Sequence, residues 1–301
     1  MNKTEAQKAV ACGVLMVDKP SGKSSHDIVY MVRKMTGIRK VGHGGTLDPF
    51  ATGLLLMLVG KATRLFDFLA PLVKEYRVTA QFGSVSSTGD IDGEIREVGG
   101  SVDEDSLRRI LPDFTGKIQQ KVPAYSAVKV DGVALYKKAR AGIKVESPVR
   151  EVEIFSLKLV SFDSASQQAV LDVVCSKGTY IRQLCEDMGE ALETGAYAAA
   201  LRRNAVGEMR IEQASTVHDL GKMPRESLLS SVNTSFISCL GALYFLPVRE
   251  LDEKEARAAT YGRSIDGEYA SPVRLAQDGR LLAVYGPDGD SGIIRPLVVL
   301  S

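Results

Sequence analysis

"VGHGGTLDPFATGLLLMLVGKATR", Val41 to Arg64, sets a glycine-rich loop, a lone carboxylate at Asp48 and a proline directly before an unbroken apolar run. The run "GLLLMLVG" reads as a buried strand, since a strand with one solvated face would alternate apolar with polar residues. Taken alone, Asp48-Pro49 is an ordinary helix N-cap and first-turn pair, or the start of a β-turn. Its surroundings shift that balance. Gly42, Gly44 and Gly45 make an open loop where backbone can approach a ligand closely, and His43 sits inside it. A carboxylate anchored at the edge of a core strand under such a loop suits a nucleophile or general base held in place by packing.

Working outward, "GVLMVDKPSGKSSHDIVYMVRKMTG" reads as a short buried strand, a polar loop, and a helix capped by Ser24 or Ser25 and closed by Gly37. Ile28, Val32 and Met35 recur at helical spacing, so one face of that helix goes to the core. "EYRVTAQFG" and "QAVLDVVCS" have strand patterns, the second β-branched enough for a largely buried strand. "YIRQLCEDMGEAL" places Ile181, Leu184, Cys185 and Met188 on one helical face. Strands and helices interleave irregularly, which favours a mixed α/β or α+β sheet over a regular parallel array. From about Leu246 the texture changes. Asp278-Gly279 and the stretch Asp288 to Gly292 punctuate short apolar runs at hairpin spacing, predicting a small β-rich module of roughly 50 to 60 residues.

The chain of 301 residues is 45% hydrophobic and 25% charged, an ordinary globular composition that points to two unequal parts. Its longest apolar runs fall well short of the roughly 20 residues a membrane-spanning helix needs. Glu5 in the leader argues against a signal peptide, so a cytoplasmic protein with a short loose N-terminus is expected. Cys12, Cys175, Cys185 and Cys239 form no Cys-x-x-Cys pair, and only His26, His43 and His218 are available beside them. No structural zinc site is expected, and the cysteines read as reduced, mostly buried thiols. The net charge of +1 conceals segregation along the chain. Lys19 to Tyr76 holds nine Lys/Arg against four Asp/Glu, Lys121 to Arg150 seven against two, and Ser84 to Asp113 three against eight. A basic face next to an acidic back is one reading, and ordinary solvated surface charge is the other.

Two motifs fail on inspection. Gly22-Lys23-Ser24 matches the end of a phosphate loop, but Val17 stands where the leading glycine must be, and its β-carbon would obstruct the backbone curl. "TGDIDGE" offers alternate acids as in a calcium loop, yet Thr88 holds the first ligand position and Gly99 the position of the bidentate glutamate. A solvated hairpin tip is expected there. A buried Asp48 needs a cation or several hydrogen bonds to stay charged, and Arg64, Arg77 and Arg182 are all candidates. Tyr76 and Tyr180 read either as core rings or as flat faces on which a base can stack.

In order and spacing, "DKPSGKSSHD", "VGHGGTLDPFATGLL", "KEYRV", "STGDIDG", "VPAYSAVKVDGVALYKKARAG" and "SKGTYIRQLCEDMG" resemble the motifs of bacterial tRNA pseudouridine-55 synthases, the TruB family. The resemblance covers most of residues 13 to 210. It implies an α+β pseudouridine synthase fold with a central mixed, largely antiparallel sheet, and a small C-terminal β-rich domain of the PUA kind. The expected organisation is a loose tail over 1–12, a catalytic domain over 13–245 with a thumb-like RNA-binding insert at 121–150, and the terminal domain over 246–301. The implied activity converts one uridine of the tRNA T-loop to its C-glycoside isomer without metal, nucleotide or redox cofactor. The implied partner is the T-arm stem-loop of tRNA, with no membrane and no obligate protein partner.

By matching position, the resemblance makes Asp48 the catalytic aspartate. Tyr76 becomes the tyrosine that packs on the target base and a candidate for proton transfer at C5. Arg182 becomes the arginine paired with the aspartate, Tyr180 a pocket residue, and Leu201 a hydrophobic wall. His43 becomes the residue that fills the space left by flipped bases, while Lys19 and Pro20 support the catalytic loop. Ser86 and Ser87 depart from the threonine and acid expected before Thr88, in a motif read as peripheral.

Physical logic agrees with these roles. Neither the glycosidic bond nor C5 is reachable while the base is stacked, so the base must leave its loop and meet an aromatic platform and an apolar wall. One ionised carboxylate can then add to C6, attack C1′ or remove the 2′ proton, three routes that stay open. The competing function is an RNA-binding or RNA-folding protein without chemistry, which has no need of Asp48, Tyr76 and Arg182 together. A guide-RNA-dependent subunit is disfavoured by the thumb-like insert.

Overall fold

The computed structural model describes residues 12–126, 128–130, 132–143, 146–289 and 292–300. The tail expected over 1–12 lies, apart from Cys12, outside the described residues. In chain order the strands are β1 (Gly13–Lys19), β2 (Val41–His43), β3 (Thr52–Val59), β4 (Lys74–Phe82), β5 (Ser84–Ser86), β6 (Ile95–Glu97), β7 (Gly116–Lys121), β8 (Lys129–Val130), β9 (Val133–Ala134), β10 (Val149–Asp163), β11 (Gln168–Cys175), β12 (Ala196–Val206), β13 (Met209–Arg210), β14 (Ser215–Thr216) and β15 (Phe236–Ser238). An 11-stranded sheet runs β14-β1-β3-β12-β4-β11-β10-β7, with β13 beside β12, β15 beside β1 and β2 beside β3. Among the described residues, β1 with β14 and β3 with β12 are its only parallel strand pairs. The sheet is therefore mixed and largely antiparallel, as the resemblance implies.

The leucine run is unbroken because β3 is covered on both sides. Leu55, Met57 and Val59 face a front core with Val17, Val78, Leu171 and the helices Ser25–Thr36 and Ile181–Ala191. Leu54, Leu56 and Leu58 face a back core with Val14, Met16 and Leu65. Helix Ser25–Thr36 starts in a capping box, with Ser24 and Asp27 each satisfying the other's backbone amide, and ends at Gly37 in the left-handed region.

Beyond Leu246 a five-stranded sheet follows the order β16-β18-β19-β20-β17, from β16 (Val248–Glu250), β17 (Ile265–Asp266), β18 (Val273–Gln277), β19 (Arg280–Pro287) and β20 (Ile293–Val299). It has a core of its own around Leu251, Ala259, Leu275 and Tyr285. Leu281, Val284 and Leu300 join the back core of the large sheet, so the module caps that face. No helix among the described residues is long and apolar enough to cross a membrane.

One opening in the large sheet positions everything that follows. β12 pairs with β3 only at Thr52 and Gly53, after which the strands part and β2 takes over that edge at Met57 to Val59. The loop carrying Asp48 lies at this parting. Gly53 makes the close crossing possible: it has φ 103°, and a β-carbon there would stand 2.3 Å from the Arg203 carbonyl oxygen. Gly53→Ala is expected to lower stability by about 2–4 kcal/mol through strain and separation of the two strands. The urea midpoint of the variant checks this.

Candidate active site

The Asp48 loop is held from below by buried groups. Lys19, the last residue of β1, is completely buried, and its ammonium donates to the carbonyls of Lys23 at 2.7 Å, Pro20 at 2.9 Å and Pro49 at 3.1 Å. Three N–H groups thus meet three acceptors, which makes a buried lysine tolerable, though burial still pulls it down to about 8 against the attraction of Asp48. Gly22 N–H donates to the same Pro49 carbonyl at 2.9 Å. The Ser25 hydroxyl donates to Leu47 O at 3.0 Å and accepts from Leu47 N at 2.9 Å. Leu47, Phe50 and Ala51 bury their side chains in the front core, so both sides of Asp48 are anchored. No helix follows Asp48-Pro49; the Asp48 carbonyl accepts from Ala51 N in a tight turn before β3.

Of the three candidate arginines, the fold brings Arg182 to Asp48. Arg77 forms a paired bond with Asp172 on the neighbouring strand, and Arg64 donates to Val299 O in the terminal module. Arg182 extends from the first turn of helix Ile181–Ala191, and its Nε donates to Asp48 Oδ2 at 2.9 Å. Its Nη2 donates to Tyr125 O at 2.9 Å in the segment between β7 and β8, and its Nη1 donates to Thr88 O while lying 3.3 Å from Asp90 Oδ2. The Arg182 side chain is 4% exposed and that of Asp48 34%. Asp48 is thus fixed through one oxygen, while Oδ1 accepts no hydrogen bond from a described residue. Burial pushes the Asp48 carboxyl up, Arg182 pulls it back, and Asp90 pushes it up again.

Asp90 corrects the solvated-tip reading of "TGDIDGE". Its side chain is 8% exposed, and it accepts from the Thr88 hydroxyl at 2.6 Å and from Asp92 N at 3.2 Å. The turn is folded inward because Ala198 N–H donates to Gly89 O at 3.0 Å, pinning it to β12. That motif, read as peripheral, belongs to the site.

Glu186, one helical turn beyond Arg182, completes a group of acids. Burial pushes its carboxyl up to about 7, Arg182 opposes this, and Asp187 and Asp90 add to it. The folded chain therefore retains a proton that the unfolded chain releases near 4.5. Its stabilising contribution is complete below 4.5 and is lost as pH rises through about 7. Urea midpoints at pH 5 and 8 are expected to fall with pH more steeply for the native chain than for Glu186→Gln. The difference is at most about 3 kcal/mol, reduced by solvent screening.

The other expected residues are carried by β4, β12, β2 and the position before helix Ile181–Ala191. Tyr76 on β4 lies opposite Arg203 in the ladder and packs against the front core. Burial pushes its phenol up, Arg203 beside it opposes this, and Asp48 is near enough to add to the rise. Leu201, 7% exposed, pairs with Val78 two residues along and so shares the face of Tyr76. Tyr180 precedes the Arg182 helix. Its backbone is clamped by the buried Gln120, which accepts from Tyr180 N at 2.8 Å and donates to Tyr180 O at 3.0 Å. His43 ends β2 with its ring edge-on to His26 at 5.8 Å, and its buried Nδ1 has no partner among the described residues. Burial lowers the His43 imidazole, followed by the charges of His26 and Arg203, so it is neutral in neutral solution.

Sequence reasoning passed over Arg203. It is 2% exposed, and its guanidinium donates to Leu54 O at 2.7 Å, Gly45 O at 3.2 Å and Thr46 O at 3.4 Å. It fills the opening between β3 and β12 and fastens the glycine loop to the sheet. The available signal was a charged residue among the apolar positions of "AAALRRNAV", where a buried arginine must find acceptors. Among the described residues no cluster of His, Cys, Asp or Glu is arranged to hold a metal ion.

Comparison with known proteins matches residues 33–181 to the profile of the TruB family pseudouridylate synthase N-terminal domain, and residues 182–232 to the tRNA pseudouridylate synthase B C-terminal domain. The tRNA pseudouridine synthase B of Thermobifida fusca is 40% identical over 97% of this chain and 99% of its own length. That of an Azoarcus species is 39% identical over 96% and 95%. Among solved structures, an archaeal box H/ACA Nop10–Cbf5 complex superposes with a TM-score of 0.73 at 22% identity, covering 98% of this chain and 88% of that one. An H/ACA particle bound to a substrate RNA containing 2′-deoxyuridine gives 0.74 at 23% identity, covering 100% and 88%. At that identity the superpositions speak for the fold.

Proposed function

This chain belongs to the TruB family of tRNA pseudouridine synthases, isomerases of uridine in tRNA, and we propose that its target is the T-loop uridine at position 55 with Asp48 as the reacting group. The observation that carries the assignment is the half-tied carboxylate. Oδ2 is fixed by a buried arginine, Oδ1 accepts no hydrogen bond from a described residue, and the Asp48 charge is near enough to act on the Tyr76 phenol.

The chemistry breaks the N1–C1′ bond, turns the uracil ring, joins C5 to C1′ and moves the C5 proton to solvent while N1 gains one. Product and substrate are isomers, so no external reactant is consumed. Each of the three routes uses one ionised carboxylate, whether at C6, at C1′ or on the 2′ proton. Arg182 keeps that carboxylate charged as the pocket dries. Tyr76 is the platform on which the flipped base packs and Leu201 the wall beside it, and the Tyr76 phenol, neutral and elevated in pKa, serves as a relay for the C5 proton. Tyr180 borders the pocket, and neutral His43 occupies the gap in the RNA loop. The thumb-like insert closes on the site through Tyr125.

The terminal module is read as an RNA-binding domain of the PUA kind, presenting exposed Arg257, Tyr261 and Arg263. Because its Leu281, Val284 and Leu300 belong to the back core, removing it from residue 246 would open that core, so point substitutions are the better probe of its role. The reaction is placed in the cytoplasm, with no obligate protein partner and no cofactor.

Nucleoside analysis of a T-arm stem-loop after incubation with the intact chain tests the target. The expected result is one pseudouridine per RNA at position 55, and none when that uridine is replaced by cytidine; conversion elsewhere in the loop would overturn the assignment. Binding should also weaken with salt, by about 0.7 to 0.9 log units per phosphate contact for each decade of salt. Replacing the exposed Lys129 and Lys137 of the thumb-like insert by alanine is expected to reduce that slope by about one unit per lost contact. Affinity measured between about 50 mM and about 200 mM salt checks this.

A further inference from the structure

Two cysteines outside the site face each other at the end of the β1–β15 ladder, where the large sheet borders the terminal module. β15 runs antiparallel to β1 in the register Leu15 to Phe236, Val14 to Ile237 and Gly13 to Ser238. One further step along that ladder sets Cys12 opposite Cys239, and their sulfurs lie 2.7 Å apart as free thiols. Directly opposed residues in an antiparallel pair have Cα atoms about 4.5–5.5 Å apart, inside the range of about 4.4–6.8 Å that a disulfide spans. The backbone register therefore permits a bond without rearrangement.

The environment separates this pair from the other two cysteines. Cys175 and Cys185 are sealed in the front core, with burial pushing the Cys175 thiol up to about 11 and the Cys185 thiol higher still. Cys12 is half-buried and borders a cavity of about 300 Å³ lined by Leu229, Phe236, Cys239, Arg280 and Leu300. A molecule the size of hydrogen peroxide fits there with room to spare. The hydrogen bond between the two sulfurs lowers the Cys12 thiol, with burial opposing and the Ala62 and Lys61 backbone assisting. The same bond raises Cys239. Cys12 is the less buried of the two and so the sulfur more open to a molecule in the cavity, while a proton shared across the contact favours a single thiolate in the pair.

We propose that Cys12 and Cys239 form a thiol-oxidation site for peroxides, closing to a disulfide that staples the first strand of the large sheet to the segment on which the terminal module rests. In the first step the Cys12 thiolate attacks the peroxide O–O bond, giving a sulfenic acid and releasing hydroxide. In the second, the Cys239 sulfur displaces hydroxide from the sulfenic sulfur, and the Cys239 proton leaves with it as water. Each sulfur gives up one electron, the peroxide takes up both, and two waters are formed per disulfide. The bond joins positions 227 residues apart, so it restricts the unfolded chain far more than the folded one.

The test treats the intact chain with limiting hydrogen peroxide, then unfolds it in denaturant with N-ethylmaleimide to block remaining thiols, and maps the non-reduced digest by mass spectrometry. A Cys12–Cys239 linked peptide is expected, with Cys175 and Cys185 both blocked as free thiols. In Cys239→Ser the Cys12 sulfenic acid should persist and be captured by dimedone, and in Cys12→Ser Cys239 should remain a thiol. Thermal melting of the oxidised native chain is expected to rise by about 5–10 °C and to return on reduction, with no rise in either variant. Sulfinic acid at Cys12 without a linked peptide, a link between different chains, or an unchanged melting temperature after linkage would each overturn the proposal.

Discussion

Asp48→Asn is expected to lower single-turnover pseudouridine formation by at least about 10⁴-fold, equivalent to about 5.5 kcal/mol of transition-state stabilisation, while T-arm affinity changes only a few-fold. Asparagine keeps the shape and can still accept from Arg182 Nε, so the loop held by Lys19, Ser25 and Arg203 has no reason to move. What is lost is the charge on Oδ1. An amide oxygen is too poor a nucleophile and too weak a base for any of the three routes, so the prediction does not depend on which is followed. Retained affinity combined with lost turnover separates an enzyme from a protein that only binds and refolds RNA. Quench-flow kinetics with nucleoside analysis, set against a filter-binding isotherm, provides both numbers.

The second large effect is at Arg182. Its buried guanidinium serves Asp48, Asp90, Thr88 O and Tyr125 O at once, in a fork that lysine cannot reproduce from a single ammonium. Arg182→Met leaves two carboxylates without their cation and two carbonyls without a donor. A loss of about 3–5 kcal/mol in stability is expected, the usual result of removing one partner from a buried ion pair. Arg182→Lys should retain more stability yet lose about 10²- to 10³-fold in turnover, because Asp48 is then neither fixed nor fully ionised. Urea midpoints together with single-turnover rates check both variants, and full activity in Arg182→Lys would remove the role assigned to the arginine.

The sequence made the local elements readable where local physics decides them. Ser24 and Gly37 mark the ends of helix Ser25–Thr36 because capping is a property of a few adjacent residues. The leucine run identifies β3 because burial on both faces leaves no polar alternation to find. Partner choice is a different matter. Asp48 and Arg182 are 134 residues apart, and nothing in composition or period distinguishes Arg182 from Arg64 or Arg77; the resemblance identified it and the fold shows the contact.

Asp90 and Arg203 show the same limit from the other side. Asp90 lies in a turn whose acids have the pattern of a solvated tip, and only its docking on β12 reveals that it shares the Arg182 cation. Arg203 became significant once β3 and β12 were seen to part, leaving carbonyls of the loop and strand for its guanidinium. The terminal module is legible as hairpins punctuated by Asp-Gly turns, while the joining of its Leu281, Val284 and Leu300 to the back core depends on packing across the seam.

The most direct test of the account is tritium release from a T-arm stem-loop carrying C5-tritiated uridine, incubated with an excess of the intact chain. If Asp48 directs cleavage of N1–C1′ and rejoining at C5, the tritium at position 55 is released to water in a single turnover, one per RNA, and no free uracil appears. Tight binding of the stem-loop with its tritium retained would contradict the account.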